Sequence, residues 1–445
     1  MNQLTSSATD KITGIINVPG DKSISHRALI MGSMAIGETI VSGLLEGEDV
    51  LNTAAAMKAL GADIYRDELA KWHVHGVGTG GLSEPAGALD MGNSGTGARL
   101  LMGLVSTYPF STTFVGDASL SSRPMKRVTV PLEKFGAEFH GSEDGTLPIT
   151  VKGTDAPLPI SYDVPVASAQ VKSAIMLAAL NTPGITTIFE KTPTRDHTER
   201  MFHFFGVDTI TTPKDGGRVI TVSGQPELTA RELIVPGDPS SAAFPVVAAL
   251  ITPGSDITIN NIGLNPDRTG LFITLKEMGA DIEFLNEREE CGEPVADLRV
   301  RHSSLNAITV PEDRAPSMID EYPILCIAAA FAEGTTVMRG AEELRVKESD
   351  RIDIMVRGLG ACGIKVEEFA DGMAITGSGE KPEGGALVET RLDHRIAMSF
   401  LILGLQSHKP VTVDDGSVIE TSFPTFRSLM NGLGANIQPA AGAPA

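Results

Sequence analysis

The chain has 445 residues, with 56 Asp and Glu against 36 Lys and Arg, a formal net charge of −20 and 42% hydrophobic residues. That length and apolar content fit two or more domains with large cores, and the acidic balance argues against nucleic acid or an anionic membrane as partner. The polar Met1–Gly14 segment lacks an apolar signal core, runs such as Ile324–Ala332 are too short to span a bilayer, and Cys291, Cys326 and Cys362 have neither metal nor redox spacing, so a reduced, cytoplasmic setting is expected.

In chain order, the first informative stretch is Val18–Ile30, V-P-G-D-K-S-I-S-H-R-A-L-I. Ser23 is read as the cap of an apolar helix with Ile24, Ala28 and Met31 on one face and Gly37 closing it. Lys22, Ser23 and Arg27 then gather at a helix N-terminus, where free amides and the helix dipole favour anions. Asp21 stands where a P-loop needs glycine, so a nucleotide P-loop does not fit. The next starts carry Asn93-Ser94-Gly95-Thr96-Gly97-Ala98-Arg99, with glycines that let backbone approach a ligand, then Arg123-Pro124, Ser168-Ala169-Gln170 and Thr194-Arg195-Asp196-His197. The second half adds Asp320-Glu321, Arg345–Arg351 and Asp393-His394-Arg395. Taken alone, Lys347, Glu348 and Arg351 would read as an ordinary helical salt-bridge ladder. No His, Cys and carboxylate set has metal-ligand spacing, and no nucleophile elbow or dinucleotide fingerprint is present, so metal-free acid–base chemistry on bound anions is expected, without cofactor.

The chain also repeats itself. V-P-G-D at Val18–Asp21 recurs at Val235–Asp238, each time before a helix read as serine-capped. A glycine followed by a short strand recurs at Gly61, Gly136, Gly206, Gly279, Gly363 and Gly434. Each glycine reads as a helix C-cap, and short β-branched segments such as Ser111–Val115, Ile185–Phe189 and Ser255–Ile259 read as strands. Alternating strands and helices predict an α/β fold. Six units in two sets of three predict two similar domains, 22–235 and 1–21 with 236–445, with crossings near 19–22 and 235–238. The Lys11–Val18 strand then belongs to the second domain, and the tail from Gln438 is expected to fray. If equivalent helices point the same way, their N-termini form one face in each domain, and two opposed faces would line a cationic cleft.

These residues carry a resemblance. P-G-D-K-S-x-S-x-R, G-N-S-G-T-x-x-R, S-L-x-x-R-P-M, S-A-Q-x-K-S-A, D-E-Y-P, R-V-K-E-S-D-R and D-H-R together resemble the 5-enolpyruvylshikimate-3-phosphate synthase family over nearly the whole chain. The resemblance implies two domains of three βαβαββ-like repeats, the enolpyruvyl transferase fold or inside-out α/β barrel, closing a cleft. It implies transfer of the carboxyvinyl group of phosphoenolpyruvate to the 5-hydroxyl of shikimate 3-phosphate, in chorismate and aromatic amino-acid biosynthesis, by a monomer without metal or cofactor. By motif, Lys22, Ser23, Arg27, Ser168, Ala169, Gln170, Arg195, Asp320 and Lys347 contact shikimate 3-phosphate, and Lys22, Gly95, Arg123, Gln170, Arg351 and Arg395 contact phosphoenolpyruvate. Asp320 is implied as the base, and Glu348 or Lys22 as the proton donor. The family inhibitor glyphosate resembles phosphoenolpyruvate and is longer.

Two departures resemble the divergent second class of the family. Thr421-Ser422-Phe423-Pro424 replaces K-T-F-P, whose lysine helps to bind phosphoenolpyruvate, and Glu343-Leu344 precedes R-V-K-E in place of N-W. The related UDP-N-acetylglucosamine enolpyruvyl transferase usually carries a cysteine before its R-P motif, whereas Gly116–Ser122 contains none. A non-catalytic anion-binding repeat protein would gain nothing from Asp320 and Glu348.

Overall fold

Both V-P-G-D copies end on the residue that caps a helix. A computed structural model, which describes residues 2–440, has the Asp21 carboxylate accept from the Ile24 amide at 2.9 Å ahead of Lys22–Met34. The Asp238 carboxylate accepts from the Ser240 amide at 2.8 Å ahead of Pro239–Ile251. The expected serine caps Ser23 and Ser240 lie two residues too late: aspartate caps as well as serine, and the turn through Pro-Gly leaves it the last non-helical residue. Serine does cap Gly95–Val105 and Ala169–Leu180, through Ser94 and Ser168. Gly37 does not close the first helix, because the chain passes at Ala35 directly into the strand Ala35–Ser42.

The six repeated glycines all have positive φ, from 82° at Gly363 to 110° at Gly434. After Glu48–Ala59, the Gly61 amide bonds the Lys58 carbonyl and the Ala62 amide bonds the Met57 carbonyl, a closure that satisfies the last carbonyls before the strand begins. The same pair of bonds follows Gly206, Gly279, Gly363 and Gly434.

The described residues form two compact units, one of residues 20–236 with 289–293 and one of 2–19, 237–288 and 294–440. The segment 289–293, which the sequence reading carried with the second domain, therefore packs with the first. Each unit holds three sheets. Their common plan is a central strand with a parallel neighbour on one side and an antiparallel one on the other. In one sheet Ser111–Val115 pairs parallel with Leu89–Asp90 and antiparallel with Ile149–Lys152. In another Ile185–Glu190 lies between Ser161–Val164 and Gly217–Ser223. In the second unit Asp256–Gly263 lies between Thr13–Ile16 and Glu293–Arg301.

Helices fill the interior of each unit. Every residue of Pro239–Ile251 is buried, as are all of His394–Gly404 except Arg395 and all of Tyr322–Phe331 except its last residue. A helix apolar on all sides belongs in a core, while the strands alternate buried and exposed positions as sheets with one wet face do. Small residues let the helices approach: a Cβ at Gly103 would lie 2.3 Å from the Ala174 carbonyl oxygen of Ala169–Leu180.

At the termini, one strand goes beyond the sequence reading and one expectation changes. Leu4–Ser7, within the segment read as polar, is a strand between Val411–Val413 and Asn436–Pro439. The tail expected to fray from Gln438 is paired through Pro439, and the Ala440 amide bonds the Gln3 carbonyl; 441–445 lie outside the described residues. No helix among the described residues is long and apolar enough to cross a membrane.

Candidate active site

In the unit of residues 20–236, three buried helices bring their N-terminal ends together. Lys22 opens the first, and its ammonium pairs with the buried Asp49 carboxylate in the first turn of Glu48–Ala59. Gly95 opens the second, where a Cβ would meet the Arg99 guanidinium at 3.1 Å and that of Arg123 at 3.3 Å. Arg123 is held by the Asn93 side-chain oxygen at 2.7 Å and the Ser119 hydroxyl at 3.1 Å. Ser168, Ala169 and Gln170 open the third. The Gln170 amide donates to the Thr96 hydroxyl at 2.9 Å, and its oxygen accepts from Arg99 at 2.8 Å. The second and third helix starts are thereby tied side by side, with half-buried Arg123, Ser168 and Gln170 at their mouths.

Arg27 lies deeper. Its Nε donates to the Thr198 hydroxyl at 2.7 Å, Nη2 to the Ser173 hydroxyl at 2.7 Å and Nη1 to the Ser23 carbonyl at 2.9 Å. Burial lowers its pKa to about 10, against the opposing pull of Glu199, Asp21 and Glu293. It stays charged at neutral pH and joins the first helix to Ala169–Leu180 and His197–Phe204. Arg195 stands half-buried just before His197–Phe204. Neighbouring His26 is buried, bonded to the Thr53 hydroxyl at 2.8 Å, and held well below the usual histidine range by burial and then by Lys22 and Arg27.

In the other unit Arg351 is the hub. It opens the helix Arg351–Ala361, and its side chain is 1% exposed. Nε donates to Asp393 at 2.8 Å, Nη2 to Glu348 at 2.6 Å and Nη1 to Asp320 at 3.4 Å. Burial alone would lower its pKa, but Asp393, Glu348 and Asp320 together hold it above the ordinary arginine value. Asp320 also has the Lys347 ammonium at 3.6 Å, and its backbone carbonyl accepts from Arg395 at 3.2 Å. Asp393, which orients Arg351, caps His394–Gly404 through the Arg395 amide at 3.0 Å. Arg395 faces the buried Glu321 carboxylate at 3.5 Å, and Glu321 in turn accepts from Ser240. Thr421 ends a short helical turn with its hydroxyl on the Val418 carbonyl at 2.8 Å.

The implied residues therefore gather as one group in each unit, beside supporting residues whose partners the sequence reading did not assign. Asp49, Arg99 and Glu321 hold Lys22, Gln170 and Arg395. Arg99 and Glu321 stood within the quoted motifs without a partner assigned, whereas nothing local marks Asp49 as the partner of Lys22.

The fold is shared with the enolpyruvyl transferase NikO of Streptomyces tendae, at TM-score 0.77 and 16% identity over 98% of each chain, a likeness of fold alone. The EPSP synthase of Acinetobacter baumannii is nearer, at TM-score 0.89 and 45% identity, covering 98% of this chain and 99% of that one. A 3-phosphoshikimate 1-carboxyvinyltransferase of Paramagnetospirillum magneticum is 61% identical over 98% of both chains, and one of Parvibaculum lavamentivorans is 61% identical over 98% of this chain and 97% of that one. The family EPSP synthase (3-phosphoshikimate 1-carboxyvinyltransferase) matches residues 7–430, and the chain belongs to it.

Proposed function

We propose that the protein transfers the enolpyruvyl group of phosphoenolpyruvate to the 5-hydroxyl of shikimate 3-phosphate and releases phosphate. The observation that carries this reading is the Asp320 carboxylate at a buried helix start, with Arg351 at 3.4 Å and Lys347 at 3.6 Å and Glu348 on the same guanidinium. An anion receptor would need the cations and not the acids. The curated relatives named 3-phosphoshikimate 1-carboxyvinyltransferase favour this reaction over transfer to UDP-N-acetylglucosamine.

In this reading Asp320 removes the proton of the 5-hydroxyl while its oxygen attacks C2 of phosphoenolpyruvate. Glu348 or Lys22 delivers a proton to the methylene carbon. The resulting tetrahedral intermediate keeps its phosphate until the C2–O bond breaks and the methyl group returns a proton. Lys22, Ser23, Arg27, Ser168, Ala169, Gln170, Arg195 and Lys347 contact shikimate 3-phosphate. Lys22, Gly95, Arg123, Gln170, Arg351 and Arg395 contact phosphoenolpyruvate. Both substrates are dense in negative charge, and guanidinium groups grip phosphate and carboxylate in pairs of bonds. Arginines already fixed by Asp393, Asn93 and Gln170 need little reorganisation as charge develops. The protein works as a cytoplasmic monomer in this reading.

Phosphate release from phosphoenolpyruvate tests it. Release is expected only when shikimate 3-phosphate is present. Release with UDP-N-acetylglucosamine instead, or none with either acceptor, would refute it.

A further inference from the structure

The short stretch before His197–Phe204 that carries Arg195 is gripped on both sides. Upstream, the fully buried Lys172 ammonium donates to the Thr194 carbonyl at 3.2 Å and pairs with Glu190 at 2.9 Å and Glu199 at 2.8 Å. Burial would lower the Lys172 pKa, but the two carboxylates raise it, so it remains a cation. These partners are near in sequence and belong to the local repeat.

Downstream, the grip is remote. His197 Nδ1 meets Glu293 Oε1 at 2.6 Å, across 96 residues, with both side chains at most 2% exposed. Arg200 bonds Asp196 at 2.8 Å and the Gly292 carbonyl at 3.0 Å. Cys291 Sγ, 3.4 Å from the Ile234 carbonyl, seats the same stretch. A buried carboxylate on an imidazole is a strong, directional contact, and it fixes the backbone two residues from Arg195. The segment 289–293 is otherwise an excursion of a hairpin whose strands continue in the other unit's residues.

We propose that Glu293 is a positioning residue for substrate binding: through His197 it sets the direction in which Arg195 presents its guanidinium to the phosphate of shikimate 3-phosphate. The proposal rests on the reading of Arg195 as a contact to that substrate. A cation held in the wrong direction by a fraction of an ångström loses its paired bonds to phosphate while the rest of the site is untouched.

The test uses the full-length protein with Glu293→Gln, which keeps shape and removes charge, Glu293→Ala, which removes both, Arg195→Ala, and the double variant Glu293→Gln/Arg195→Ala. Glu293→Gln is expected to raise the KM for shikimate 3-phosphate about tenfold. The KM for phosphoenolpyruvate and kcat should stay within about twofold, Glu293→Ala should act more strongly, and Glu293→Asp should recover part of the loss. On the Arg195→Ala background Glu293→Gln should add nothing. Amide exchange of residues 194–197 without substrate should quicken in Glu293→Gln. Unchanged exchange, or an equal KM effect with and without Arg195, overturns the proposal. Faster exchange together with an Arg195→Ala variant that binds shikimate 3-phosphate normally overturns the ligand reading of Arg195, and the proposal with it; the exchange result tells the two failures apart.

Discussion

Gly95 faces two guanidinium groups and the Leu120 side chain. A Cβ there would lie 3.1 Å from Arg99, which holds Gln170, and 3.3 Å from Arg123, so a methyl presses on a cation proposed to hold phosphoenolpyruvate. Glyphosate is longer and needs more of that space. Gly95→Ala should therefore raise the glyphosate inhibition constant more than the phosphoenolpyruvate KM, by about 1–3 kcal/mol of discrimination; an unchanged ratio would remove Gly95 from that site. Asp320→Asn keeps the size of the side chain and removes the proposed base, so turnover should fall roughly 10²–10⁴-fold with the fold intact by circular dichroism. Near-normal turnover would contradict the role. His26 makes a pH prediction. Its folded pKa lies well below its unfolded value, so the unfolded chain takes up a proton that the native one refuses. The stability due to its neutral form is complete above the unfolded pKa and is lost as pH falls toward the folded one. Stability should therefore fall as pH drops below the unfolded histidine pKa, a slope that urea midpoints should show in the native chain and not in His26→Gln. At this scale the sequence displayed the residue types and their motifs. It could not display which pairs meet: Lys22 with Asp49, Arg351 with Asp393 and His197 with Glu293 are joined only by the fold.

Elements were legible where their signals are local. The six glycines marked helix ends because a residue that must take positive φ is rarely anything else. The caps were misread in the V-P-G-D copies because Asp21 and Ser23 are equally suitable by type, and only the backbone decides between them. Leu4–Ser7 was missed for the opposite reason. It is four residues long, polar in three of them, and becomes a strand because Val411–Val413 and Asn436–Pro439 lie on either side. Helix packing yields a further test. Gly103→Ala would place a methyl 2.3 Å from the Ala174 carbonyl oxygen, and backbone cannot yield as a side-chain tip can. Overpacking of about 1–3 kcal/mol should outweigh the helix-propensity gain of about 1 kcal/mol, lowering the urea midpoint. A higher midpoint would show that the two helices have room to separate.

At the level of the whole molecule, the sixfold repeat agrees with the six sheets among the described residues, but did not show that 289–293 would pack with residues 20–236. All three cysteines are buried as free thiols, with burial raising the pKa of Cys291 to about 12 and that of Cys362 to about 11, and Cys326 higher still. A thiol-specific reagent at mildly alkaline pH should find none of them in the native protein and all three after denaturation; rapid labelling of Cys291 in the native state would show that its segment detaches. The order in which the chain is made bears on the same arrangement. Synthesis runs at about 5–20 residues per second, so the Glu293 partner of His197 emerges several seconds after Pro236 completes the stretch that needs it. The strand Leu4–Ser7 waits on the order of tens of seconds for Asn436–Pro439. Leu4–Ser7 is thus made long before either strand that flanks it, and a chain stalled before its final repeat carries it with open sheet edges, available to any neighbouring nascent chain.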